Sequence, residues 1–115
     1  MDINRLEIDL NNKISKKDKK SFLFKLDRLQ TFDMSEFDLI LTNLDLLIKK
    51  YNDLGKTKLY TIMLKNITLF FQHILFLFYC HYNPNDNYKI NNISEIEDIT
   101  NIYIKIRQIS DRIIF

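Results

Sequence analysis

The chain has 115 residues, of which 46% are apolar and 28% are charged, and its formal net charge is +2. This composition is typical of a folded globular protein and excludes a disordered chain, while the length predicts one domain with at most a small appendage. The small net charge, together with an acidic segment described below, argues against a strong phosphate-binding surface and therefore against nucleic acid as a partner.

Residue usage is strongly biased. Ala, Val and Trp are missing, and Phe, Tyr, Ile, Asn and Lys make up 58 of the 115 residues. All five have AT-rich codons, so the bias indicates an AT-rich genome rather than a particular fold. Cys80 is the only cysteine, which excludes an internal disulfide and favours a reducing compartment. The N-terminal sequence M-D-I-N-R-L-E lacks the pattern of a signal peptide, and we therefore expect a cytoplasmic protein.

The first half of the chain shows helical periodicity over residues 2–13, 15–28 and 35–51. Ser15 and Ser35 each have an aspartate three positions later, a pattern that resembles a capping box and predicts the start of a helix. The apolar positions expected to face the core are Ile3, Leu6, Leu10 and Ile14 in the first segment, Phe22, Leu23, Leu26 and Leu29 in the second, and Phe37, Ile40, Leu41, Leu44, Leu47, Ile48 and Tyr51 in the third.

A turn at Gly55 separates these segments from two further predicted helices, over 57–66 and 68–82. Gly55 is the only residue able to take a left-handed cap without strain. Residues 68–82 are apolar nearly all round, which predicts a central, buried helix. The most apolar run, Ile67–Cys80, is too short to span a bilayer, so we expect no membrane span.

Turn-forming residues and the only Pro lie in 83–93, which we predict to be a linker. Ser94 with Glu97 is a capping box for a last helix over 95–112. Six or seven helices can thus be placed, and the domain prediction is a helical domain over 1–82, the linker, and a helical extension over 94–115. The apolar face expected for the last helix is Ile96, Ile99, Tyr103, Ile106 and Ile113.

The residue types needed for catalysis are sparse. His73, His81 and Cys80 are too few and too irregularly spaced for a metal site, and a single Gly cannot build a phosphate-binding loop. No catalytic, cofactor-binding or metal-binding residue is predicted, and we expect the chain not to be an enzyme.

Charge is distributed unevenly along the chain. Residues 1–31 hold eight basic and five acidic residues, whereas residues 33–53 hold five acidic and two basic ones. These charges could simply form solvated faces, or they could serve as complementary patches that steer the approach of a partner.

Two stretches carry a family resemblance. The first matches the pattern L-(S/T)-x-x-E-x-K-K-F-K-F-K-L at Ile14, Ser15, Asp18, Lys20, Phe22, Phe24, Lys25 and Leu26. The second matches D-L-x-x-x-L-V-x-x-Y and L-x-x-x-V-L-R-D-(M/I) at Leu47, Ile48, Tyr51, Leu59, Met63, Leu64, Lys65, Asn66 and Ile67. Over about residues 2–80 the chain resembles the pyrin domains of the death-fold superfamily, although the segment from Leu29 to Leu47 is several residues shorter than usual.

The resemblance implies an all-α, compact six-helix death-fold bundle with an additional C-terminal helix. As a free-standing domain it is most similar to poxviral pyrin-only proteins, which bind the pyrin domain of the host inflammasome adaptor, block caspase-1 activation and in some cases dampen NF-κB signalling. The partner implied is a host pyrin-domain protein, with assembly into homo-oligomers left open. The implied contact residues are Lys16, Lys17, Lys20, Lys25 and Arg28 on a basic face, and Glu7, Asp9, Asp38 and Asp45 on an acidic face.

Several alternatives stay open at this point. A small helical bacteriocin-immunity protein would act at a bacterial membrane. A death-effector domain is disfavoured because the expected R-x-D-L is absent after Lys65. The remaining alternatives are a Bcl-2-like inhibitor of cell death and a nucleic-acid-binding protein.

Overall fold

The chain forms an all-α structure. A computed structural model describes the backbone of residues 2–15, 20–55 and 58–114 and the side chains of 2–15, 20–55 and 61–112. Within these ranges there are five helices and no strand, which confirms the all-α prediction. The helices are α1 (Ile3–Ile14), α2 (Phe22–Asp27), α3 (Met34–Leu54), α4 (Lys58–Tyr82) and α5 (Ile96–Ile114).

The four long helices alternate in direction. α1 runs antiparallel to α3, because Lys13 near the end of α1 lies 3.9 Å from Glu36 near the start of α3. α3 and α4 placed end to end would span about 69 Å, yet the longest extent of the molecule is 47 Å, so the chain reverses between them. α5 follows α3 in the same direction, since Lys105 meets Asp38 and Arg112 meets Asp45. α1 and α5 each pack against both α3 and α4, while the short α2 packs on α1 and α4.

The predicted division of residues 57–82 into two helices is wrong, because α4 is one continuous helix. The sequence changes there from an amphipathic pattern to an all-round apolar one, but it contains no Pro or Gly to interrupt the backbone hydrogen bonds. Gly55 does end α3 in the left-handed conformation, with φ 61°, as predicted.

The predicted starts of α2 and α3 also need correction. Asp33, not Ser35, caps α3: its Oδ1 accepts the Glu36 backbone N–H at 3.1 Å. Ser21 caps α2, and its Oγ accepts the Phe24 N–H at 3.2 Å. Ser15, the predicted start of the second helix, instead ends α1, and Asp18 lies outside the described residues.

The core is built from the apolar faces of all five helices. All the positions predicted for α1 and α3 are buried, as are Phe22, Leu23 and Leu26 of α2. Phe32, in the short connection between α2 and α3, joins Phe22, Phe37 and Phe78 with ring centroids 5.0–5.8 Å apart. Phe32 is 1% exposed although it lies outside every helix, and its burial was not predicted.

Burial differs from prediction at the ends of the helical patterns. Leu29 is 56% exposed because α2 ends before it, at Asp27. Among the described side chains of α5, Ile102, Ile106 and Ile109 are buried, so the prediction is confirmed at Ile106. Ile96 and Tyr103, also expected to face the core, are exposed, and the side chain of Ile113 lies outside the described residues.

The segment between α4 and α5 is tied to the connection between α2 and α3. The Asn92 side chain accepts the Phe32 N–H at 2.9 Å and donates to the Phe32 carbonyl at 2.7 Å. The Asn91 N–H donates to the Gln30 carbonyl at 2.7 Å, and Ile90 and Ile93 are buried. Residues on both sides of the predicted linker therefore belong to one hydrophobic cluster.

Candidate protein-interaction surfaces

The basic residues predicted to bind a partner centre on α2. Its apolar side is buried through Phe22, Leu23 and Leu26, which fixes the helix to the body of the protein. Lys20 precedes the helix, Arg28 follows it, and both are exposed. The two charges thus stand at opposite ends of a rigid element. Lys16 and Lys17, the other predicted basic residues nearby, lie outside the described residues.

Lys25 makes an internal contact. Its Nζ lies 3.1 Å from Asp33 Oδ2, with about a third of each side chain exposed. Two contacts lower the pKa of the Asp33 carboxyl: the hydrogen bond from the Glu36 N–H has the larger effect, and the one from Lys25 has the smaller. Lys25 therefore helps to hold the start of α3.

The acidic residues predicted on α3 are met by α5 of the same chain. Lys105 Nζ donates to Asp38 Oδ1 at 3.1 Å. Asp45 contacts Arg112 and also lies 3.3 Å from Lys49, one turn along α3. Cations of the same chain thus contact both α3 carboxylates of the predicted acidic face.

The acidic candidates on α1 lie apart from this pair. Asp9 is 4.0 Å from Arg5 on the same helix. Glu7 lies beside Tyr51 of α3, and burial followed by this carboxylate raises the pKa of the Tyr51 phenol. The structure therefore separates the predicted acidic set into an α1 pair facing Arg5 and Tyr51 and an α3 pair facing α5.

Sequence reasoning missed the two cations of α5. Lys105 and Arg112 are seven residues apart, as are Asp38 and Asp45. Two equal spacings of opposite charge on two helices of the same direction allow both contacts at once, about two turns apart. This matching interval was the signal in the sequence, but it becomes informative only once α3 and α5 are known to run side by side.

Titratable groups around the end of α4 take part in structural contacts. His81 Nδ1 accepts the Ile90 N–H at 2.8 Å, and burial, with Lys89 nearby, lowers its pKa. Lys89 Nζ donates to the backbone carbonyl of His81 in the last turn of α4 at 2.8 Å, and to two carbonyls just after the helix, those of Asn83 and Asp86. Cys80 is buried, which raises the pKa of its thiol. Among the residues that the structure describes, no three His, Cys, Asp or Glu side chains could hold a metal ion.

The outer face of α4 is apolar and exposed. Ile62, Leu69, Phe76 and Tyr79 are 54–65% exposed, so α4 is not the central helix that its composition predicted. By length and composition alone, Thr61–Tyr82 is also long and apolar enough to cross a membrane. The same test is passed by core helices of soluble proteins, and the inner side of α4 packs in the core.

Comparison with known proteins adds no assignment: no family model, curated protein or solved structure matches this chain. The resemblance to pyrin domains therefore stays a prediction from the sequence.

Proposed function

We propose that this chain is a non-enzymatic interaction protein, and that it acts as a decoy for a host pyrin-domain protein of the inflammasome, presenting one binding side where an assembling subunit presents two. Head-to-tail assembly requires two complementary sides on every subunit. A subunit with a single usable side binds the end of a growing assembly and stops further addition.

The contact of Asp38 and Asp45 with α5 is the observation that carries this proposal. Lys105 and Arg112 occupy these carboxylates within the chain, so a basic partner surface has to displace them. Each half-exposed pair contributes only about 0.2–1 kcal/mol, but an intramolecular contact costs no translational entropy. The exposed Lys20 and Arg28 at α2 then form the side that meets an acidic surface.

The number of helices weighs against the death-fold part of the proposal. The resemblance implies six helices before the C-terminal one, whereas the described residues form four before α5, with α4 continuous. The decoy function depends on the charged sides of α2 and α3 rather than on the number of helices, so it can be tested separately.

The test is the growth of filaments by a purified adaptor pyrin domain, followed by light scattering. A one-sided decoy is expected to slow growth at a concentration well below that of the adaptor, because it acts at filament ends. The double variant Lys20→Glu/Arg28→Glu should lose this effect, and Arg107→Glu, a matched charge reversal at an exposed position of α5, should keep it. Normal growth with an excess of the wild-type chain would refute the proposal.

The antiparallel arrangement of α1, α3, α4 and α5 favours a second candidate, a small helical protein of the bacteriocin-immunity type. Such a protein would protect its producer at the membrane, and the apolar outer face of α4 suits that location. Expression in a bacteriocin-sensitive strain, with survival and membrane fractionation as readouts, separates this candidate from the decoy.

A further inference from the structure

One exposed surface has no role in the proposed decoy function. Six exposed residues of α4 follow one another at intervals of three and four positions: Ile62, Lys65, Leu69, Gln72, Phe76 and Tyr79. We call these residues the outer α4 stripe. Their spacing is the a/d repeat with which one helix packs against another. The stripe is about 26 Å long, and four of its six residues are large and apolar.

We propose that the outer α4 stripe binds a second copy of this chain, with the two α4 helices antiparallel about a two-fold axis between Leu69 and Gln72. An antiparallel pair places each a position opposite a d position. The layers are then Ile62 with Tyr79 of the second copy, Lys65 with Phe76, and Leu69 with Gln72, and each layer occurs twice. The stripe is thus complementary to itself along its whole length.

Charge favours this orientation. α4 contains no Asp or Glu, and Lys65 is the one charged residue among the six of the stripe. The orientation of the pair therefore depends on where the two Lys65 side chains are placed. In the antiparallel pair the two Lys65 side chains lie about 16 Å apart along the axis, which exceeds the screening length of about 10 Å at 0.1 M salt. Each Lys65 instead lies beside the ring of Phe76 of the second copy, a favourable cation–π neighbour. A parallel pair would place Lys65 against Lys65.

The exposed area is sufficient for a reversible dimer. With about 150–250 Å² for each large side chain, the exposed fractions along the stripe and at the adjacent Tyr82 amount to on the order of 600 Å² per protomer. Two protomers bury about 1,200 Å², the lower end of specific interfaces. We therefore expect a dissociation constant of about 1–100 μM, well above nanomolar.

Sedimentation velocity between about 1 and 500 μM tests the proposal, with an expected rise from the monomer mass of 14.0 kDa to twice that value. Phe76→Glu should weaken the dimer at least tenfold without changing the helical circular dichroism. Leu46→Glu, an exposed Leu on α3, is the matched control and should dimerise normally. A monomer throughout the range, or a dimer unaffected by Phe76→Glu, would overturn the proposal.

Disulfide crosslinking tests the orientation in a Cys80→Ser background with oxidised glutathione as oxidant. Ile62→Cys combined with Tyr79→Cys should give a covalent dimer, because these positions share a layer. Ile62→Cys alone should not, since the two copies of residue 62 lie about 25 Å apart in the antiparallel pair; efficient crosslinking of this single variant would refute the orientation. Monomers that bind phosphatidylcholine vesicles through the stripe would instead identify a lipid surface as its occupant and also overturn the proposal.

The dimer and the decoy use different surfaces. The outer α4 stripe contains neither Lys20 nor Arg28, and Phe76→Glu leaves α2 unchanged. Failure of dimerisation therefore does not affect filament inhibition, and failure of inhibition does not affect the dimer.

Discussion

Replacement of Asp33 tests the start of α3 and the internal role of Lys25 together. Asp33 Oδ1 accepts the Glu36 N–H at 3.1 Å, and its Oδ2 lies 3.1 Å from Lys25 Nζ. Loss of an N-cap costs about 1 kcal/mol, and a partly exposed ion pair contributes about 0.2–1 kcal/mol. Asp33→Ala should therefore lower the free energy of unfolding by about 1–2 kcal/mol.

The matched variants separate the two contributions. Asp33→Asn keeps a good cap but removes the charge, so it should cost only about 0.5 kcal/mol. Ser35→Ala, at the cap expected from the sequence, should change stability by less than about 0.5 kcal/mol, because Ser35 is exposed in the first turn. Urea unfolding followed by circular dichroism measures all three variants; an effect of Ser35→Ala equal to that of Asp33→Ala would refute the assignment.

The pH dependence follows from the lowered pKa of Asp33. A carboxyl with a lower pKa in the folded state stabilises the protein fully above its unfolded pKa of about 3.9. This stabilisation is lost as the pH falls through the lower folded value. The stability difference between wild type and Asp33→Asn should therefore be constant near neutral pH and shrink below about pH 4. A difference that grows in acid would contradict the reasoning.

Three further predictions concern the connections between helices. Asn92→Ala removes both hydrogen bonds to the Phe32 backbone and should cost about 1–3 kcal/mol in urea unfolding; Asn92→Asp, which cannot donate to the carbonyl, should not restore the loss. Phe32→Ala should cost about 3–5 kcal/mol, whereas Leu29→Ala at an exposed position should cost under about 0.5 kcal/mol; similar values for the two would contradict the assignment of Phe32 to the core. Gly55 and Gln30 both have a positive φ. Gly55→Ala should therefore lower the free energy of unfolding by about 1 kcal/mol, whereas Gln30→Gly should not lower it. Thermal melts in which Gln30→Gly is the less stable of the two variants would refute this reasoning.

Helical periodicity predicted the elements whose inner faces pack on the core along their whole length. In α1 and α3 every residue expected to be buried is buried. An apolar stripe at 3.6-residue spacing lies on one face of a helix, so it is removed from water only when that face packs on the core. The same reasoning failed for α4. A helix that is apolar all round does not specify which side faces the core, and here Phe70 and Ile74 are buried while Leu69 and Phe76 are exposed.

Features that depend on distant residues could not be predicted from local patterns. Phe32 is buried because Asn92, sixty positions later, binds its backbone and closes the connection over the core. No local pattern marks either residue, since a single Phe between two turn segments is compatible with exposure. The cap of α3 differs in kind, because Asp33 and Ser35 each have an acidic residue three positions later and the local pattern fits both. Asp33 is the observed cap, and it also contacts Lys25 of α2.

The uneven distribution of charge along the chain is compatible with two interpretations. The excess of basic residues before position 32 and of acidic residues after it fits contacts between molecules as well as contacts within one. Asp38 and Asp45 make contacts within the chain, because the α5 cations Lys105 and Arg112 recur at the same seven-residue interval and lie next to them. A partner of the acidic side must replace two contacts made without loss of translational freedom, whereas a partner of the exposed Lys20 and Arg28 need not displace α5. The proposed decoy function therefore assigns partner binding to the basic side of α2, and the filament assay with Lys20→Glu/Arg28→Glu tests that assignment.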